Sequence, residues 1–149
     1  MSWTPPKPPT DDEHGHPLVA AYLQALGDAD LDGMLALFAP GAMVHSPLYG
    51  DLPATEFYPA LFADTASAEL TLLGTMHGTS VEGRALLSFL FHFDWRLPGG
   101  TAAPFDVIDI AEIDDDGLIA RVRIIYDTVD VRPAFEADTG KASTRPSIG

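Results

Sequence analysis

RALLSFLFHFDWRLPGGTAAPFDVIDIAEIDDDGLIARVRIIYDTVDV, residues 84–131, is written in a two-residue period. Successive side chains of a strand point to opposite faces of a sheet. Three such runs stand here, separated by Pro98-Gly99-Gly100 and by Asp114-Asp115-Asp116-Gly117. Both separators carry the turn chemistry of antiparallel hairpins. The expected strands are about 84–97, 102–114 and 118–131, and a fourth at about 69–78 precedes them.

Alternation assigns the faces. One face of the first strand in this stretch is an aromatic wall, Leu87, Phe89, Phe91, Phe93 and Trp95, while Ser88, His92 and Asp94 lie opposite. In the last strand Val122, Ile124 and Tyr126 share a face, and Arg121, Arg123 and Asp127 share the other. The middle strand reads Phe105, Val107, Asp109, Ala111, Ile113 on one side and Asp106, Ile108, Ile110, Glu112 on the other. Asp109 is thus the one ionisable group on a face that otherwise reads as core. An unpaired buried carboxylate is costly, so it either finds donors or raises its pKa and holds a proton. Perturbed acids of this kind gather at functional sites. A shifted register, or a carboxylate satisfied by nearby backbone, explains the pattern equally well at this level.

Upstream the period is helical. A first helix begins after His16 with Pro17 in its first turn, where a missing N–H is harmless. Leu18, Tyr22, Leu23 and Leu26 form its buried face, and Gly27-Asp28 end it. Asp30 caps a second helix in which Leu31, Met34, Leu35 and Phe38 recur at helical spacing, stopped by Pro40-Gly41. A short strand is expected at 42–46 and a third helix at about 55–64, with Pro59 in its first turn. Helices first and consecutive strands afterwards indicate an α+β fold with helices packed on one face of the sheet. Residues 1–16 hold four prolines and several charges and are expected to form an arm. Residues 17–135 are expected to form the single domain, and 136–149 a polar tail.

A chain of 149 residues with a hydrophobic fraction of 46% is large enough for a sizeable core. The formal net charge of −14 opposes binding to phosphate backbones and anionic membranes, so neither nucleic acid nor membrane is an expected partner. With no cysteine there are no disulfides or thiolate nucleophiles, and the cytoplasm is the expected compartment. His14, His16, His45, His77 and His92 form no metal-ligand spacing, and no metal or other cofactor is expected. Asp114–Gly117 reads as a hairpin turn, since it lacks the later ligands of a calcium loop. No glycine-rich phosphate loop or nucleophile elbow is present.

Two segments carry a resemblance. Tyr22-Leu23-Gln24-Ala25-Leu26-Gly27-Asp28-Ala29-Asp30-Leu31-Asp32-Gly33, running into Leu37-Phe38-Ala39-Pro40-Gly41-Ala42, and Asp106-Val107-Ile108-Asp109 with the Asp116-Gly117 turn are similar to the nuclear transport factor 2-like superfamily. Within it the chain resembles ketosteroid isomerases and SnoaL-like polyketide cyclases. The resemblance implies a cone-shaped fold of three N-terminal helices on a curved, mainly antiparallel sheet. It implies that Tyr22 and a protonated Asp109 are paired O–H donors able to stabilise a developing enolate, as in ketosteroid isomerases. Phe89, Phe91, Phe93 and Tyr126 would line the substrate pocket, and Tyr58 would support Tyr22.

One position departs from the isomerase pattern. The general-base carboxylate falls on Ser46, which is no base near neutral pH, and the neighbouring His45 points to the other face of its strand. The Asp–Arg pair of epoxide hydrolases resembling limonene epoxide hydrolase is missing too, because position 107 is Val. A SnoaL-type cyclase, using one sheet Asp as acid/base, requires no missing residue. The expected function is therefore isomerase- or cyclase-like chemistry by Asp109 and Tyr22 on a small apolar carbonyl compound, with Ser46 and Tyr58 among the binding residues. The alternative is a non-catalytic ligand-binding or scaffold protein of the same fold. A homodimer through the outer sheet face, where Leu86, Leu90 and His92 lie, is implied by the resemblance.

Overall fold

The computed structural model describes residues 16–144. Helix α1 (Pro17–Asp28) and the short α2 (Leu31–Leu35) lead into strands β1 (Phe38–Ser46) and β2 (Gly50–Pro53). Helix α3 (Ala54–Ala63) follows, then β3 (Ser67–Thr79), β4 (Ala85–Arg96), β5 (Phe105–Ile113), β6 (Ile119–Ile125) and helix α4 (Val131–Thr139). The strands make one curved six-stranded sheet in the order β2-β1-β6-β5-β4-β3. All neighbours are antiparallel except β1 and β6. This is the α+β arrangement that alternation and element order lead one to expect. No described helix is long and apolar enough to cross a membrane.

The hairpin signals act as read. The Asp114 carboxylate accepts from the N–H groups of Asp116 and Leu118, each at 2.9 Å, and Gly117 takes φ +80° to close the turn. The face assignment also holds: Leu87, Phe89, Phe91, Phe93 and Trp95 are all buried, as are Val107, Asp109, Ala111 and Val122. The inner sheet face packs against α1, α3 and α4, and that interface is the core.

Four local expectations are corrected. The second helix ends at Leu35, and Phe38 already belongs to β1. Pro40-Gly41 does not stop a helix; it sits where the β1–β6 register shifts, a place that tolerates a missing donor. Pro59 lies in the interior of α3, not its first turn. The lost hydrogen bond to Thr55 is offset there by burying Phe57 and Tyr58. The last strand ends at Ile125 rather than 131, and α4 crosses the expected domain limit at 135.

Asp130 and Pro133 mark the start of α4 in the sequence, and Gly140 ends it with φ +70°. The expected tail is thus folded as far as Thr144, whose N–H donates to Leu48 O at 2.8 Å. The expected N-terminal arm lies outside the described residues apart from His16, whose Nδ1 accepts from Leu18 N at 3.2 Å and caps α1.

Candidate active site

Asp109 enters the core from the middle of β5, flanked in register by Phe89 of β4 and Ile124 of β6. It is 2% exposed, and its Oδ1 has no hydrogen-bond partner among the described residues. Burial among aromatic rings pushes its carboxyl up to about 7, and a hydrogen bond from Tyr22 opposes that rise without cancelling it.

Helix α1 places Tyr22 above the sheet because Val19, Tyr22, Ala25 and Leu26 make its buried stripe. The Tyr22 ring meets the edge of Phe89 at 5.1 Å between centroids. Its hydroxyl lies 2.8 Å from that of Tyr58 on α3. Each hydroxyl has a single proton, so with Asp109 ionised the donors run from Tyr58 to Tyr22 to Asp109, whereas a protonated Asp109 can donate in the opposite direction. Burial holds both phenols well above the ordinary tyrosine range, and the neighbouring Asp109 adds to the effect. Both therefore stay neutral donors.

A cavity of about 40 Å³ opens beside Asp109. The structure brings Tyr22, Ser46, Phe91, Phe93 and Tyr126 to its wall. Phe89 and Tyr58 do not line it. They stand behind Tyr22, one against its ring and one against its hydroxyl. Tyr49, Phe57 and Leu61 line the cavity and were not foreseen. Phe57 and Leu61 are four residues apart on α3, a helical spacing readable in the sequence once Pro59 is allowed inside the helix. Tyr49 sits in a turn, where neither helical nor strand periodicity applies. Its hydroxyl donates to Asp64 at 2.8 Å, and Asp64 also receives Lys141 Nζ at 2.9 Å.

The base position is structural. Ser46 Oγ accepts from the N–H groups of Leu48 and Tyr49 at 3.1 and 3.0 Å, tying the turn after β1. His45 points away from the cavity, as alternation requires. Its Nδ1 lies 2.8 Å from Asp51 Oδ1 across the β1–β2 ladder. On the same outer face His92 pairs with Asp106 at 2.8 Å.

A family model described as a SnoaL-like domain matches residues 19–122. The chain belongs to the SnoaL-like family. A relative of this SnoaL-like chain, a steroid Delta-isomerase from Nocardioides simplex, is 31% identical over 113 residues, spanning 72% of the chain and 85% of that protein. Among solved structures, the epoxide hydrolase/cyclase-like enzyme SalBIII, from pyran ring formation in polyether salinomycin, superposes with a TM-score of 0.63 at 14% identity. That match covers 80% of this chain and 95% of SalBIII. A candidate polyketide cyclase from Pseudomonas putida KT2440 gives 0.55 at 20% identity, over 76% and 92% of the two chains. At such identities the likeness is one of fold, and the fold is the nuclear transport factor 2-like one expected from the sequence.

Proposed function

We propose that this SnoaL-like chain is a pocket enzyme in which Asp109, with Tyr22, performs acid/base or enol-stabilising chemistry on the carbonyl of a small apolar molecule. The observation that carries this reading is the Asp109 carboxyl, with one oxygen buried and unpartnered beside the cavity. An acid titrating at about 7 holds comparable amounts of both forms at neutral pH, the condition for efficient general acid–base catalysis. Protonated, Asp109 offers an O–H beside that of Tyr22, and two neutral donors in an apolar site stabilise the oxygen of an enolate. Ionised, it takes a proton from the carbon beside the carbonyl, and the carboxylic acid so formed returns that proton to the enolate at oxygen or at another carbon, so a net tautomerisation leaves Asp109 ionised as it began. The steroid isomerase relative supports an isomerase- or cyclase-type reaction in preference to hydrolysis. A cavity of about 40 Å³ admits the carbonyl end of such a molecule, and Tyr49, Phe57 and Leu61 must part to admit its carbon skeleton.

The test is turnover of ketosteroid and polyketide-like substrates by the wild type and Asp109→Asn. A loss of ~100-fold or more is expected, in line with removal of one oxyanion donor; equal rates remove Asp109 from the mechanism. The second reading, a non-catalytic binding or scaffold protein, is favoured by Ser46, whose oxygen is committed to the turn. Under that reading a ligand binds and is never converted. We further propose a homodimer through the outer sheet face, where Met76 and Ile125 are exposed beside the half-buried Leu86 and Leu90. A monomeric mass at micromolar concentration counts against it.

A further inference from the structure

Among the described residues, six on the wall of the Asp109 cavity carry a polar side-chain atom. Four of them have protein partners. Tyr22 is joined to Tyr58 at 2.8 Å, and Ser46 Oγ accepts two backbone N–H groups. Tyr49 donates to Asp64 at 2.8 Å, and Trp95 Nε1 donates to Thr65 Oγ1 at 2.8 Å. Among the described residues Asp109 Oδ1 has no partner, and the Tyr126 hydroxyl has none either. A molecule entering the cavity thus meets two side chains whose hydrogen bonds are not already spent inside the protein. The chemistry proposed above uses only one of them.

Sheet register fixes how the two stand. Asp109 pairs with Ile124 across β5 and β6, and Tyr126 follows Ile124 on the same face, just beyond the end of β6. Diagonal neighbours of this kind lie ~7–8 Å apart. The Tyr126 ring stacks on Phe105 at 4.1 Å between centroids, so its placement does not depend on its hydroxyl. Tyr126 also borders the groove of about 460 Å³ outside the cavity, where solvent can satisfy a hydroxyl that has no protein partner. Burial raises its phenol above the ordinary tyrosine range. The charge of Arg132, which clamps the start of α4 to Pro47 and Thr144, opposes that rise, and Asp109 adds to it. The group stays protonated near neutral pH and offers an O–H.

We propose that Tyr126 determines specificity: its hydroxyl donates to a second oxygen of the ligand while the ligand's carbonyl is held at Asp109 and Tyr22. The ligand is accordingly an apolar molecule with two separated oxygens, not a simple ketone. An uncharged donor on a chain of net charge −14 favours an uncharged acceptor over an anion. The carbonyl end rests on the function proposed above, while the Tyr126 end rests on the cavity wall alone.

Titration calorimetry with 1,3- and 1,4-diacetylbenzene, and with 3- and 4-isopropylacetophenone, tests the contact without requiring turnover. Each isopropyl compound keeps one carbonyl and carries a methyl group in place of the second oxygen. In at least one such pair Tyr126→Phe should weaken the diketone by ~5–10-fold, the size of one hydrogen bond, and leave the isopropyl compound unchanged. Phe keeps the stack on Phe105 and removes a hydroxyl without an internal partner, so the melting temperature should stay within ~3 °C of the wild type. Asp109→Leu should weaken all four compounds and keep the difference that Tyr126 makes. The proposal is overturned by a Tyr126→Phe variant that binds both diketones as the wild type does, or that weakens diketone and isopropyl compound alike. A larger fall in melting temperature would reveal an internal partner for the hydroxyl and also overturn it, as would no measurable binding of either diketone at millimolar concentration. Unchanged affinities in Asp109→Leu, with the Tyr126 effect intact, would sink the catalytic reading and leave the Tyr126 contact standing.

Discussion

Replacing Asp109 by Asn should change how folding stability depends on pH, in a direction and amount that follow from the site. Burial raises the folded-state pKa from 3.8 to about 7, while the unfolded chain keeps the ordinary value. Between those two values the folded chain holds a proton that the unfolded chain has released. Stability therefore falls as pH rises, by ~1.4 kcal/mol per unit, and is on the order of 4 kcal/mol lower above pH 7 than below pH 4. Above about 7 both states are ionised and the effect is constant. Asn carries no such proton but keeps the shape, so the wild-type stability minus that of Asp109→Asn isolates Asp109 from the many other carboxylates. Urea unfolding followed by tryptophan emission at pH 5, 6, 7 and 8 is the assay. The difference should move by ~2 kcal/mol against the wild type between pH 5 and 7 and level off by about pH 8. A difference that stays flat from pH 5 to 8 would refute the raised pKa and the acid/base role built on it.

Three other perturbations read neighbouring parts of the molecule. Tyr22→Phe removes the hydroxyl that links Tyr58 to Asp109, so it should cost ~1–3 kcal/mol in urea unfolding and lower any turnover by ~100-fold. Ala29 ends α1 at φ +52°, a conformation that penalises a Cβ, so Ala29→Gly should stabilise by ~0.5–1 kcal/mol. A lower melting temperature in that variant would contradict the argument. Lys141→Met leaves the buried Asp64 carboxylate with only the Tyr49 hydroxyl. It should cost ~1–2 kcal/mol, at the low end for a buried pair because the lysine is half exposed, and most at low salt.

What the sequence discloses and what it hides have physical causes. Strand faces were legible because burial on one side of a sheet writes itself as alternation, and Asp109 was conspicuous because it broke that alternation. Its pairing with Tyr22 is a contact between elements far apart in sequence, and only the resemblance to known isomerases suggested it. Pro40-Gly41 and Pro59 misled for the same reason. Proline removes a backbone donor, but whether that ends an element depends on tertiary packing: a register shift absorbed one, and buried aromatics offset the other. Helix α4 was missed although Asp130 and Pro133 stand at its start, because apolar residues up to Val131 continue the strand pattern past the true end of β6. Arg132 was lost with it, as no local pattern marks an arginine whose partners lie at Pro47 and Thr144.

Ser46 bears on more than a missing base. An enzyme that divides proton abstraction and oxyanion stabilisation between two carboxyls needs their pKa values pushed apart, one ionised and one protonated. Here, among the described residues, one carboxyl faces the cavity, and burial with a partial hydrogen bond leaves it at about 7, close to the midpoint of both tasks. Had a second carboxylate stood at position 46, repulsion across the small cavity would have driven Asp109 higher and fixed it as a donor. The serine, committed to its turn, leaves Asp109 free to change state near neutral pH. If the proposed reaction is the one this site performs, Asp109 is the group that must both take and give the proton, and if it is not, the same serine leaves a site that binds without converting.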